Sequence, residues 1–142
     1  MDQIQVKRLE RQEWMKYAKN AHLISFSENS QSESFRPDFA FLFVDGRTDT
    51  PAGYMTMIEM DADTVYLQHG GVFPDHERTI HVAKAYAKAI KTLSETYETL
   101  TTRIENTNYS MLKLALRHGF LITGTFFQHP KLFVELTFEG IP

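Results

Sequence analysis

The chain contains no cysteine. Disulfides, cysteine-ligated zinc and thiol nucleophiles are therefore excluded. It also lacks any apolar run near the ~20 residues that a membrane-spanning helix needs. The N-terminal run Met1-Asp2-Gln3-Ile4-Gln5-Val6-Lys7 lacks the basic-then-apolar pattern of a signal peptide. These absences fit a cytoplasmic protein with no membrane partner. Positive charge is scarce too: 15 basic against 18 acidic residues give a net charge of −3. That balance disfavours nucleic acid as a partner, because phosphate binding needs clustered cations. Lys84, Lys88 and Lys91 lie along one predicted helix and read best as a solvated face. No internal repeat and no interdomain linker is visible.

What is present is enough for a core. The 142 residues are 42% hydrophobic and 13% aromatic, which suits one folded domain over 1–142. Ile4 to Leu9 reads as a strand. Gln12 to Ala21 reads as a helix with Trp14, Tyr17, Ala18 and Ala21 on one face. The Ser-rich stretch from Ser25 to Pro37 reads as a mobile loop or short irregular helix. Phe39 to Val44 is a buried strand, Asp45-Gly46 a turn, and Gly53 to Met60 its hairpin partner. In Thr64 to Gly70, Val65, Leu67 and His69 alternate with Thr64, Tyr66 and Gln68, as in a half-buried strand.

Thr79 to Tyr97 is the longest predicted helix, since Val82, Tyr86, Ile90, Leu93 and Tyr97 share one stripe. Leu100, Thr102 and Ile104 share one face of a following strand. Phe120 to Phe127 and Leu132 to Phe138 form a closing antiparallel hairpin around Gln128-His129-Pro130-Lys131. The order β, α, loop, β, β, β, α, β, α, β, β predicts an α+β, or mixed α/β, layer fold.

The most informative stretch runs from Glu105 to Phe120. Asn108 suits a helix N-cap, because its side-chain oxygen accepts from free N–H groups. Met111, Leu112, Ala115 and Leu116 follow at helical spacing. Gly119 suits the left-handed residue that stops a helix, with Phe120 folding back onto it. This stretch resembles the last conserved segment of the GCN5-related N-acetyltransferases, the GNAT superfamily. There an Asn opens a helix, a Gly-Phe pair closes it, and the Asn lies near the acyl-CoA arm. The order of elements matches that superfamily over nearly the whole chain. The resemblance implies a central, twisted, mostly antiparallel sheet of six to seven strands with helices on both faces. It also implies that Thr64–Gly70 and Thr99–Glu105 are parallel neighbours that splay near Gly70-Gly71.

The resemblance further implies acetyl-CoA as cofactor. Its pyrophosphate site would be Val72 with Arg78, Thr79, Ile80, His81, Val82 and Ala83, where free N–H groups and the positive helix end meet an anion. His81 stands where the family has a glycine, and Asp75 and Glu77 bring carboxylates close by. An ordinary helix N-terminus is the plain alternative. Gly70-Gly71 suggests a bulge or close backbone approach, and Asn108 would lie by the pantetheine arm.

Acetyl transfer to an amine needs a base and an acid. His69 is the leading candidate base, because imidazole titrates near neutrality. Glu59 is a second. Either residue also reads as an ordinary strand position satisfied by a neighbour. The family's acid tyrosine, four residues before the Gly of Gly-Phe, corresponds to Ala115. His76-Glu77-Arg78-Thr79-Ile80-His81 is not a zinc-protease motif, because its histidines point about 140° apart on a helix. No metal site is expected, and no Gly-x-Ser-x-Gly elbow is present.

Two functions follow. One is an acyl-CoA-dependent N-acetyltransferase with a degenerate site, acting on an amine. The other is a non-catalytic structural or assembly protein of the same fold, with a protein partner or as a homo-oligomer. The layout is also similar to short acetyltransferase-like proteins of tailed bacteriophages, some of them virion components. Tyr97-Glu98-Thr99-Leu100 and Asn106-Thr107-Asn108 carry that likeness.

Overall fold

The computed structural model describes residues 4–20, 36–73 and 81–139. The described elements are β1 (Ile4–Glu10), α1 (Arg11–Asn20), β2 (Phe39–Asp45), β3 (Thr50–Glu59), β4 (Thr64–Val72), α2 (His81–Ser94), β5 (Thr99–Glu105), α3 (Tyr109–Arg117), β6 (Leu121–Gln128) and β7 (Lys131–Glu139). The loop expected over Ser25 to Pro37 falls largely outside the described residues, as do Ala21 and 74–80.

The seven strands form one sheet in the order β1-β2-β3-β4-β5-β7-β6. Among the described strands only β4 and β5 pair in parallel; every other pair is antiparallel. That follows from connectivity, since a helix joins β4 to β5 whereas short turns suffice for antiparallel hairpins. The expected α+β architecture and the parallel pairing are both present.

All seven residues of β2 are buried. Its unbroken apolar run has a physical cause, because helices cover both faces of the sheet there. Phe39, Phe41 and Phe43 join Met55, Met57, Val65, Leu67 and Leu100 in the main core, beneath Ala85, Tyr86, Ala89, Ile90 and Leu93 of α2. On the other face Ala40 packs with Trp14 and Ala18 of α1. The predicted stripe of α2 is thus a core stripe, with Tyr86, Ile90, Leu93 and the following Tyr97 all buried.

The ends of α3 confirm their local chemistry. Met111 N–H donates to Asn108 Oδ1 at 3.3 Å, the bond expected of an N-cap. At the other end Gly119 has φ +96°. Its N–H donates to the Leu116 carbonyl at 3.2 Å, and Phe120 N–H reaches the Ala115 carbonyl at 3.1 Å. That bond pair defines a Schellman stop. Phe120 is buried against Tyr86 and Phe138.

The turn after β2 is longer than Asp45-Gly46, since β3 starts only at Thr50. Asp49 takes a left-handed φ of 55°. The closing hairpin forms as expected, and β7 inserts between β5 and β6.

Candidate active site

The site is built where β4 and β5 part. Their pairing runs from Thr64↔Thr99 to Leu67↔Thr102 and stops. The last carbonyl of the paired part, that of Leu67, takes the Thr102 hydroxyl at 3.0 Å. Beyond it opens a cleft of about 330 Å³. Gln68 to Val72 line one wall and Arg103 to Glu105 the other. Asn108, Met111 and Leu114 of the α3 segment, with Ala85 and Tyr86 of α2, line it further.

A bulge creates this geometry. The β3–β4 register passes from Met57↔Leu67 to Thr56↔His69, so Gln68 is the extra residue. An extra residue bends its strand and breaks the local ladder. The buried Thr56 hydroxyl clamps it. Thr56 Oγ1 accepts from His69 N–H at 3.2 Å and lies 3.2 Å from Gln68 Oε1 and 3.4 Å from the His69 carbonyl. Its single proton serves one of the latter two.

Beyond the bulge, Phe73 N–H donates to the Ala52 carbonyl at 2.9 Å. Backbone groups alternate between the two sides of a strand. The main-chain groups of Gly71 therefore face β3, and those of Gly70 and Val72 face the cleft that β5 has vacated. The splay begins at Gln68, two residues before the expected Gly70. The glycines still matter, though by contact. A Cβ on Gly53 would lie 2.6 Å from the Gly71 carbonyl oxygen, and one on Gly71 would lie 2.8 Å from the Tyr54 ring. Bare backbone lets β3 and β4 approach closely here.

The bulge also moves His69. Sequence alternation put it with Val65 and Leu67, which are buried under α2. Paired with Thr56 instead, it shares the opposite face of the sheet. It lines the cleft and keeps contact with solvent. Burial of the ring draws its pKa below the ordinary 6.5, because desolvation penalises the imidazolium. This partial desolvation favours the neutral ring, the form that accepts a proton.

Glu59 is not among the residues that line the cleft. It ends β3 beside Val65, at the closed end of the β4–β5 pair. At a rise of ~3.3 Å per residue, it is about 13 Å along the strand from Met55, where the cleft lining stops. Its carboxylate accepts the hydroxyl proton of Tyr97 and its N–H donates to Asp38 Oδ2 at 2.7 Å. Tyr97 is pushed up to about 12 by burial first and by that carboxylate second. In the described structure the Glu59 carboxylate serves this bond, away from the cleft lining.

Ala115, where the resemblance puts the acid tyrosine, carries no hydroxyl. It is fully buried in the main core, and the α3 residues that line the cleft are Met111 and Leu114. Counting four residues back from Gly119 reaches the core side of α3.

Of the residues expected around a pyrophosphate, Val72 lines the cleft and Ala83 lies in the first turn of α2. His81 and Val82 open that helix. Arg78, Thr79 and Ile80 lie outside the described residues. Asn108 lines the cleft while capping α3. His69, Val72 and Asn108 are thus brought together.

Sequence reasoning missed Thr56, Thr102 and Tyr86. The two threonines carried a signal: Thr56 interrupts the apolar run from Met55 to Ile58, and Thr102 sits between Leu100 and Ile104 on the buried face of β5. Tyr86 looked like plain core. Among the described residues its buried hydroxyl finds no hydrogen-bond partner, a situation that costs about 1–3 kcal/mol.

No protein-family model matches the chain, and no curated protein matches it in sequence. Solved structures do match in fold. A GNAT family acetyltransferase from Elizabethkingia anophelis, with acetyl-CoA bound, is 15% identical with a TM-score of 0.70, covering 98% of this chain and 99% of that one. An IAA acetyltransferase from Bacillus cereus is 15% identical with a TM-score of 0.72, covering 96% and 99%. A variant of the spermidine N-acetyltransferase of Vibrio cholerae is 11% identical with a TM-score of 0.75, covering 98% and 95%. Among the described residues no helix is long and apolar enough to cross a membrane. The sheet order, the bulged and splayed β4, and these neighbours agree: the chain has the GNAT fold, that of the GCN5-related N-acetyltransferases.

Proposed function

We propose that this protein is an acyl-CoA-dependent N-acetyltransferase that acts on an amine. The observation that carries the reading is the splay itself. Main-chain groups of Gly70 and Val72 face an open cleft with an apolar wall, where a continuous sheet would have paired them. An extended arm of methylenes and amides fits such a cleft. It can pair with the strand that β5 has left while its carbon chain packs on Met111 and Leu114. The neighbours quoted above include one with acetyl-CoA bound and one that acts on spermidine. The reading extends that chemistry to this chain.

In this mechanism the cleft-facing N–H groups hold the thioester carbonyl and the negative charge that grows on it during attack. His69, whose neutral form its surroundings favour, takes the proton of the attacking amine. The departing thiolate takes its proton from water. The pyrophosphate falls to Arg78, Thr79, Ile80, His81, Val82 and Ala83, the last three offering the free N–H groups and polarity of the α2 N-terminus. Val72 and Asn108 flank the arm.

An intact, lined cleft favours this function over a purely structural or assembly role. Acetyl-CoA titration of the purified chain by calorimetry tests binding. A thiol-release assay over a panel of amines then tests transfer, and the absence of cysteine keeps the protein itself silent in that assay. A saturable binding isotherm and amine-dependent thiol release are expected. Absence of binding would reject the reading.

A further inference from the structure

Two residues of β4 compete for one place opposite β3. The ladder is fixed on both sides of the bulge. On the closed side Met57 pairs with Leu67 and Ile58 with Tyr66; on the open side Met55 pairs with Gly70, Tyr54 with Gly71 and Gly53 with Val72. The bond from Phe73 N–H to the Ala52 carbonyl holds the far end at 2.9 Å. Between these anchors β3 supplies Thr56 alone, whereas β4 supplies both Gln68 and His69. One of the two must be the extra residue of the bulge, and the anchors on either side allow both choices. Successive side chains of a strand point to opposite faces, so the choice decides how the imidazole meets the cleft.

The Thr56 hydroxyl makes that choice. The residue is 3% exposed and stands between Met55 and Met57, where a valine of nearly the same shape would leave no polar atom to satisfy. Thr56 Oγ1 accepts the His69 N–H at 3.2 Å, and its own proton goes to Gln68 Oε1 at 3.2 Å or to the His69 carbonyl at 3.4 Å. A side-chain oxygen thus takes the main chain of His69 at the point where the ladder breaks. His69 is seated opposite Thr56 and lines the cleft.

We propose that Thr56 is a positioning residue, whose buried hydroxyl seats His69 rather than Gln68 opposite it and so holds the imidazole for the attacking amine. This role rests on the acyl-CoA reading above and deepens it. The cofactor wall from Gly70 to Val72 has its own anchors on β3, so loss of the hydroxyl acts on proton removal and spares acetyl-CoA binding.

Thr56→Val removes the hydroxyl and keeps the shape; Thr56→Ser keeps the hydroxyl. Thiol release with the best amine of the panel is compared for the wild type, both variants, His69→Gln and the double variant Thr56→Val/His69→Gln. In Thr56→Val, kcat is expected to fall about ten- to a hundredfold, because a misplaced base loses its alignment. KM for acetyl-CoA is expected to stay within about threefold, and Thr56→Ser to keep kcat within about threefold of wild type. In the His69→Gln background, Thr56→Val is expected to change kcat by less than about twofold, since the two residues act as one unit. An unchanged kcat in Thr56→Val overturns the assignment while leaving the acyl-CoA reading intact. Equal losses in Thr56→Val and Thr56→Ser overturn it by tracing the effect to packing. An undiminished loss on top of His69→Gln overturns it by showing that the effect bypasses the histidine. A Thr56→Val chain that fails to fold also overturns it, by showing that the hydroxyl holds the sheet rather than the imidazole. A wild-type chain that releases no thiol with any amine overturns the transfer reading, and the role of Thr56 with it.

Discussion

Over Thr64–Leu67, β4 lies paired beside Thr99–Thr102; over Gln68–Val72 the same strand has lost that neighbour. The two halves differ in composition as well as in pairing. The closed half carries Val65, Leu67 and Leu100, all buried under α2. The open half carries a bulge residue, a histidine and two glycines, and His69 and Gly70 are exposed. Apolar side chains fasten the first half by area removed from water. The second half offers backbone. The comparison teaches that stability and binding are divided along one strand, with the Thr56 clamp at the border.

That division can be broken from the closed side first. Leu100→Ala is expected to cost about 2–5 kcal/mol in urea unfolding, as a fully buried leucine leaves a cavity. A cost below about 1 kcal/mol would show that the paired half is not the anchor.

Two smaller disruptions act beside the cleft. Ala115→Tyr is expected to destabilise by about 1–3 kcal/mol through overpacking, and to confer no acid catalysis, because residue 115 faces the core. A gain in acetyl transfer would reverse that placement. Gly53→Ala is expected to cost a similar amount, about 1–3 kcal/mol, since the new Cβ meets the Gly71 backbone and β3 must move from β4. Gly70→Ala is the control. Its Cβ would meet only the Tyr54 carbonyl oxygen at 3.4 Å, and stability should change by less than about 1 kcal/mol in either direction. A large loss at 70 with none at 53 would contradict the close approach described for β3 and β4.

The smallest effect is in pH dependence. The folded pKa of His69 lies below its unfolded value of 6.5, so folding disfavours its proton. Its contribution is complete above pH 6.5 and is lost as pH falls through the folded pKa. His69→Gln should therefore flatten the decline of stability on the acid side of that value, read from melting temperatures across pH 5 to 8. An unchanged profile would mean that the ring is as well solvated folded as unfolded.

Much of this architecture is legible in the residues because its signals are local. Asn108 and Gly119 bracket α3 with groups that act on the nearest few peptides. The α2 stripe needs only helical spacing, and β2 declares itself by six consecutive apolar residues. The site was less legible because its determinants are shared between segments. The bulge at Gln68 exists only relative to β3, and one extra residue was enough to move His69 to the other face. Glu59 looked available because its partner, Tyr97, is 38 positions away. Ala115 was placed by counting from Gly119, which fixes a position along the helix but not which neighbour that face meets.

The strand order β5-β7-β6 sets a rule for chain growth. β6 is made before β7, yet it touches the sheet only through β7. A newly made chain ending before Lys131 therefore carries Leu121, Ile122 and Phe127 on a segment with nowhere to pair, and leaves the outer side of β5 bare as well. Premature termination within the last hairpin removes two strands for the loss of one, and makes the nascent chain a target for quality control.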